Sequence, residues 1–210
     1  MKFTSILFRA KRNISLNPLI AVVAAISALW AFLPAHAHHP FEGRAPQTFT
    51  ALEALVSGLG HPVIGIDHLL FLICIGLVST LSMKRFLPLL LLSGFTGTLT
   101  YLYLPGGIPG VEFIIGLSLL FASLICYGLI NPLLILPLIF FHGYALGEQI
   151  IGAEPTPLIF YSLGLIFIQG LIICLSVGLM KKLVKYKSTL VTLFMGISVV
   201  FAFRAVLDLV

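Results

Sequence analysis

His61, Asp67, His68, Glu112, His142 and Glu148 combine the side-chain types that handle a cation, and all lie inside or at the edge of long apolar runs. A titratable group in such a setting is costly and by default marks function. Imidazoles mixed with carboxylates suit borderline divalent metals such as nickel, cobalt or zinc. A calcium or magnesium path would use oxygen ligands alone. At about 100° per residue, His61, Gly65, His68 and Leu72 form one stripe, with Asp67 offset from it. His142 shares its face with Ala145, Leu146 and Gln149, and Glu148 is offset in the same way. Both segments therefore read His, five residues, acid. On a straight helix His61 and His68 are two turns apart, so they form successive stations, or share one ion where the helix end is unwound. Asp67 would orient a histidine or neutralise the ion.

The elements that position these residues follow from composition. The chain has 210 residues, 60% hydrophobic and only 9% charged, where a soluble domain carries about 25% charged residues. A mean hydropathy of +1.15 agrees. A soluble enzyme, a nucleic-acid binder and a disordered chain are excluded, and a lipid-embedded protein remains. Residues 1–37 read as a signal peptide: Lys2, Arg9, Lys11 and Arg12, then the apolar run Leu19–Leu33, then Ala35-His36-Ala37. Cleavage there would leave His38 and His39 at a mature N-terminus outside the membrane. Residues 38–60 read as an exposed periplasmic lead-in. Residues 61–210 read as a six-helix transmembrane domain, with apolar runs at about 61–82, 86–104, 111–130, 132–152, 157–180 and 188–208. Glycine, proline, asparagine and lysine clusters separate them.

The formal net charge of +5 has a topological meaning. With the mature N-terminus outside, Lys84, Arg85, Lys181, Lys182, Lys185 and Lys187 fall in inner loops and Arg44 outside, as the positive-inside rule requires. The titratable set then lies in the outer half of the bilayer. Two three-helix halves would have opposite topologies, which is compatible with a 3+3 inverted repeat. Other features have structural readings. Cys74, Cys126 and Cys174 read as small hydrophobes. Arg204 and Asp208, spaced i and i+4, read as an ion pair. Tyr101, Tyr103, Tyr161 and Phe160 read as an aromatic belt, and Gly94, Gly97, Gly164 and Gly170 as helix-packing surfaces.

The stretch Gly60-His61-Pro62-Val-Ile-Gly65-Ile-Asp67-His68 resembles the H-P-x-x-G-x-D-H signature of the HupE/UreJ family of small bacterial membrane permeases. Phe141-His142-Gly143-Tyr144-Ala145-Leu146-Gly147-Glu148 resembles the family's second motif, in its fourth helix. Val111-Glu112-Phe113 resembles the acid that opens its third helix. Where many members carry a further histidine, this chain has Leu146, and in the fifth helix Gln169, Ile173 and Cys174. The resemblance implies nickel or cobalt acquisition, with metal recognition carried by His61, Asp67, His68, His142 and Glu148.

The expected protein is thus an all-α inner-membrane permease, multi-pass, with its mature N-terminus periplasmic. It would import nickel or cobalt as cargo and hold no prosthetic group. Its partners are the divalent ion and the lipid bilayer, with no nucleic acid; a homo-oligomer is compatible with the sequence. After cleavage the α-amine and imidazole of His38, with His39, would form a capture site for the ion. No G-x-x-x-x-G-K-[ST] motif occurs, so import would draw on a gradient, intracellular trapping or a partner. The enzyme alternative, a zinc-dependent intramembrane hydrolase, would use the same His/Asp cluster to activate water, but H-E-x-x-H and G-x-S-x-G are both absent. A bis-histidine haem protein would rest on His68 and His142.

Overall fold

The computed structural model of the chain describes residues 41, 44–78, 83–104, 107–108 and 110–207. The expected signal peptide, His38, His39 and Asp208 lie outside the described residues. The regular elements among the described residues are all helical: α1 (Ala51–Ile64), α2 (Ile66–Leu77), α3 (Met83–Tyr103), α4 (Val111–Cys126), α5 (Ile135–Gly147), α6 (Pro155–Lys182) and α7 (Lys187–Leu207).

The first helix begins ten residues before the expected span. Thr50 caps it: its hydroxyl accepts the Glu53 N–H, while the Glu53 carboxylate accepts the Thr50 N–H at 2.9 Å. This reciprocal pair satisfies two of the donors a helix start leaves open. Arg44 reaches Glu53 across the turn. Residues 51–60, the last part of the expected lead-in 38–60, are therefore a helix that buries Ala54, Ser57 and Gly58. Pro62 lies in the last turn of α1. There the missing proline N–H weakens the ladder, and α1 stops at Ile64. Gly65 has extended backbone (φ −70°, ψ 98°), and α2 sets off at 74° to α1.

Four helices are long and apolar enough to cross a membrane, and a fifth crossing results if the bent α1–α2 pair is one broken span. The remaining element, α4, has 16 residues and extends about 24 Å, short of a ~30 Å hydrocarbon core. Its length is set by its ends. Gly128, just past the C-terminus, has φ 75°, the left-handed cap that glycine adopts without strain. The apolar residues 127–130 thus form a turn where a longer helix was expected.

Packing rests on small residues facing backbone. A Cβ at Gly58 would overlap the Tyr161 carbonyl oxygen, and one at Gly164 would crowd the Leu55 carbonyl, so α1 and α6 approach closely. Gly94 and Gly97 on α3 meet α5 at Gly143 and near Tyr144, and the Thr98 hydroxyl donates to the Gly143 carbonyl at 2.9 Å. Such contacts replace hydrophobic drive where the solvent is itself apolar. The helix α6 displays the two resulting faces. Leu163, Phe167, Leu171, Leu175 and Leu179 form its exposed stripe, while Tyr161, Leu165, Gln169 and Ile173 face inward. The expected packing role of Gly94, Gly97 and Gly164 holds. Gly170 meets only the Leu91 side chain.

Candidate metal-ion site

The break at Gly65 builds the site. On a continuous helix, residues 61 and 68 would stand about 10 Å apart along the axis. Across the elbow their rings stack, with centroids 5.8 Å apart and an 18° interplanar angle. His61 is 1% exposed and His68 4%. The α2 start also places Asp67 in a first turn, where the helix dipole favours a carboxylate, and its Oδ2 lies 3.3 Å from His68 Nδ1. His142 comes from α5, with Nδ1 at 3.2 Å from His68 Nδ1.

Hydrogen-bond accounting fixes the state of His142. The Ser118 hydroxyl donates to the Ile115 carbonyl at 2.6 Å, so toward His142 Nε2, also at 2.6 Å, it accepts. His142 therefore carries a proton on Nε2, and in its neutral form turns the Nδ1 lone pair toward His68. Phe71 stacks on the His142 ring at 3.9 Å and 7°, covering one face of the imidazole. His68 Nδ1 thus faces two acceptors, the His142 nitrogen and the Asp67 carboxylate. One proton there serves three electron-pair donors.

Tyr161 holds the outer ring of the set. Its hydroxyl donates to the Leu146 carbonyl at 2.7 Å and lies 3.5 Å from His61 Nδ1. It is fully buried, so its expected place in an aromatic belt is corrected. Tyr101 is corrected in the same way: it is 7% exposed and packs edge-on against Tyr144. Ser57, one turn before His61 on α1, has a buried hydroxyl with no hydrogen-bond partner among the described residues. Ser118, Tyr161, Phe71 and Ser57 were not among the expected site residues. For Ser118 and Ser57 the readable signal was a hydroxyl within a buried apolar stretch; for Tyr161 and Phe71 nothing in the local sequence distinguished them from lining.

The remaining expected residues stand apart. Glu148 is exposed in a short 3-10 turn after α5, and no hydrogen bond or ion pair joins it to the three histidines among the described residues. Glu112 lies in the first turn of α4. The positions where relatives were expected to carry more histidine are buried here as Leu146 and Gln169. Among the described residues, no group of three or more His, Cys, Asp or Glu side chains is arranged to hold a metal ion. The arrangement is a closed, hydrogen-bonded cluster of rings and carboxylate.

Neither the curated proteins nor the solved structures contain a match to this chain. The family described as HupE / UreJ protein matches residues 24–205, nearly the whole chain. That is a family of metal-transport-related membrane proteins and not of enzymes, which fits a helical chain with several membrane-capable helices. On that match, the chain belongs to the HupE/UreJ family.

Proposed function

We propose that this protein imports nickel or cobalt across the bacterial inner membrane through His61, His68, His142 and Asp67. The observation that carries the reading is the 3.2 Å between the Nδ1 atoms of His68 and His142, with Asp67 Oδ2 at 3.3 Å. Two nitrogens bound to one metal at 2.0–2.1 Å in a tetrahedron stand about 3.3 Å apart. An arriving cation displaces the proton on His68 and meets the donors it held. Ser118 fixes the tautomer that presents the His142 lone pair, as outer-shell partners of metal-bound histidine do. Ser57 and Glu148 then line the approach from outside, Glu112 serves as a further acid for the ion, and His38 and His39 capture the ion before it.

The membrane reading completes this picture. The bent α1–α2 pair is the first crossing and the short α4 the third, giving six. The lysines that follow α6 and the Lys84–Arg85 pair opening α3 face the cytoplasm. An inverted repeat is supported by the pairing of helices: α1–α2 packs on α6 as α5 packs on α3, α4 packs on α7, and α4–α5 contacts match α2–α7 contacts. A two-fold relation between halves maps each of these pairs onto its counterpart, and the α2–α4 packing, which has no α5–α7 counterpart of similar extent, departs from it.

The test is flux into proteoliposomes loaded with a metal-sensitive dye, with nickel, cobalt, zinc and magnesium in competition. Saturable nickel or cobalt entry, insensitive to magnesium, is the expected outcome. No flux above empty vesicles, or equal flux of magnesium, overturns the proposal.

A further inference from the structure

Cys74 and Cys126 are remote in sequence yet their sulfurs lie 3.6 Å apart, unlinked, and the Cys126 sulfur also lies 3.5 Å from the Cys74 carbonyl oxygen. Cys74 is fully buried. Two thiolates bound to one metal at about 2.3 Å in a tetrahedron have sulfurs about 3.8 Å apart. The pair already spans that edge, and the carbonyl supplies a third donor beside it.

Their place in the fold adds a second observation. Cys74 is on α2, six residues or about 9 Å beyond His68. Cys126 ends α4, the helix that supplies Ser118 to His142. The thiols therefore sit on the same α2–α4 seam as the histidine cluster, displaced toward the lysine-bearing end. Between the two lie Phe71, Leu72 and Leu119, all buried, together with the buried Ser123 hydroxyl, which donates to the Leu119 carbonyl at 2.9 Å and lies 3.1 Å from the Ser198 hydroxyl. On the far side, Cys126 lines a cleft of about 330 Å³ with Tyr127, Lys187, Ser188 and Val191. The sulfur pair thus stands between a buried, mostly apolar layer and a surface depression.

We infer that Cys74 and Cys126 form a second station for a soft divalent transition-metal ion, on the cytoplasmic side of this buried layer. The inference deepens the transport reading above and rests on it for the source of the ion. Each thiol loses its proton as its metal–sulfur bond forms, and both protons leave to water in the cleft. No electrons move, so no oxidant is required. Thiolates exclude magnesium and calcium and accept nickel, cobalt and zinc, which gives the path a filter chemically distinct from the imidazoles.

The full chain in detergent, carrying Cys174→Ser to remove the exposed third thiol, tests this with cobalt(II) as the probe. A sulfur-to-cobalt charge-transfer band is expected, with release of about two protons per ion. The band should vanish in Cys74→Ser and in Cys126→Ser and persist in His68→Ala. Loss of uptake in His68→Ala with the band intact supports both stations. A band that persists with unaltered uptake in His68→Ala supports this site while the histidine path fails. A correctly assembled parent without the band overturns the inference and leaves the histidine path untouched. So does a band unchanged in both cysteine variants, or a Cys74–Cys126 disulfide in non-reducing peptide maps that exchanges under diamide and dithiothreitol while cobalt leaves it unaffected.

Discussion

His61–Asp67 and His142–Glu148 carry the same spacing of imidazole and carboxylate, and the fold treats them differently. In the first, Gly65 falls between the two residues, the helix turns by 74°, and the acid lands 3.3 Å from His68. In the second, α5 runs unbroken through Gly147 before the acid. Gly143 and Gly147 are spent on the approach to α3, where a Cβ at Gly143 would overlap the Gly94 carbonyl. Glu148 then emerges exposed in the turn that follows. A glycine between the members of a motif redirects the chain; a glycine beside one lets a neighbouring helix in. The difference separates a carboxylate held against an imidazole from one exposed at a helix end.

The sharpest way to break this contrast is to remove a donor from the cluster. His68→Ala, His142→Ala and Asp67→Asn are each expected to lower nickel uptake about 100-fold, since interactions with charged groups are worth about 1.5–3 kcal/mol and each 1.4 kcal/mol is ten-fold. Radiolabelled uptake normalised to the amount of protein in the membrane measures this. Uptake within two-fold of the parent in all three variants would refute the cluster as the transport site.

The next effect falls on Ser118. Ser118→Ala leaves His142 Nε2 without its acceptor and frees the ring to present the wrong nitrogen. Loss of such an orienting partner costs about ten-fold in metal affinity, so the half-saturating nickel concentration should rise by about that factor with the maximal rate little changed. Ser118→Thr keeps the hydroxyl and should restore most of the affinity. If the threonine variant is as weak as the alanine one, Ser118 acts through packing.

How much of this was legible depended on which interaction carried it. The titratable residues, their clustering and the membrane setting follow from hydropathy and residue type, because charge in lipid is expensive wherever it occurs. The capping box at Thr50 and Glu53 was also readable, and its signal was masked by the polar look of residues 41–60. The elbow was half readable: Pro62 and Gly65 mark a weak point, but the direction of the bend depends on α6 receiving Gly58. The partnership of His68 with His142 was legible as two isolated residues. Their contact comes from α4, which packs against both α2 and α5, and no local pattern around either histidine encodes that. Tyr161 was misplaced for a similar reason: position near a helix start does not tell which face meets α1.

The elbow itself is open to a milder test. Gly65→Ala raises helix propensity by about 1 kcal/mol and crowds the His61 carbonyl, Asp67 Oδ1 and His68 Cδ2, which a Cβ would meet at 3.3, 3.4 and 3.5 Å. Both effects favour a straighter α1–α2 pair with the rings further apart. Uptake should fall about five-fold, the factor that corresponds to 1 kcal/mol, while the amount of folded protein in the membrane stays near that of the parent. A distance between spin labels at Ile64 and Leu69, measured in both forms, tells whether the angle has opened. Reduced uptake with an unchanged distance would move the cause from the bend to the crowding.

Glu148 is the smallest and most discriminating case. An exposed carboxylate outside the cluster contributes a local negative potential, screened within about 8 Å at physiological ionic strength. Glu148→Gln should therefore change the maximal rate by less than about two-fold, and what change there is should fade as salt is raised. A ligand would behave otherwise, because loss of a bound carboxylate is not relieved by salt and scales with the metal's preference for oxygen. Measuring nickel uptake by the variant and the parent across an ionic-strength series separates the two. If Glu148→Gln matched Asp67→Asn and stayed insensitive to salt, the acid would have to swing from the end of α5 into the histidine cluster during transport, and the two motifs would be equivalent in the working protein after all.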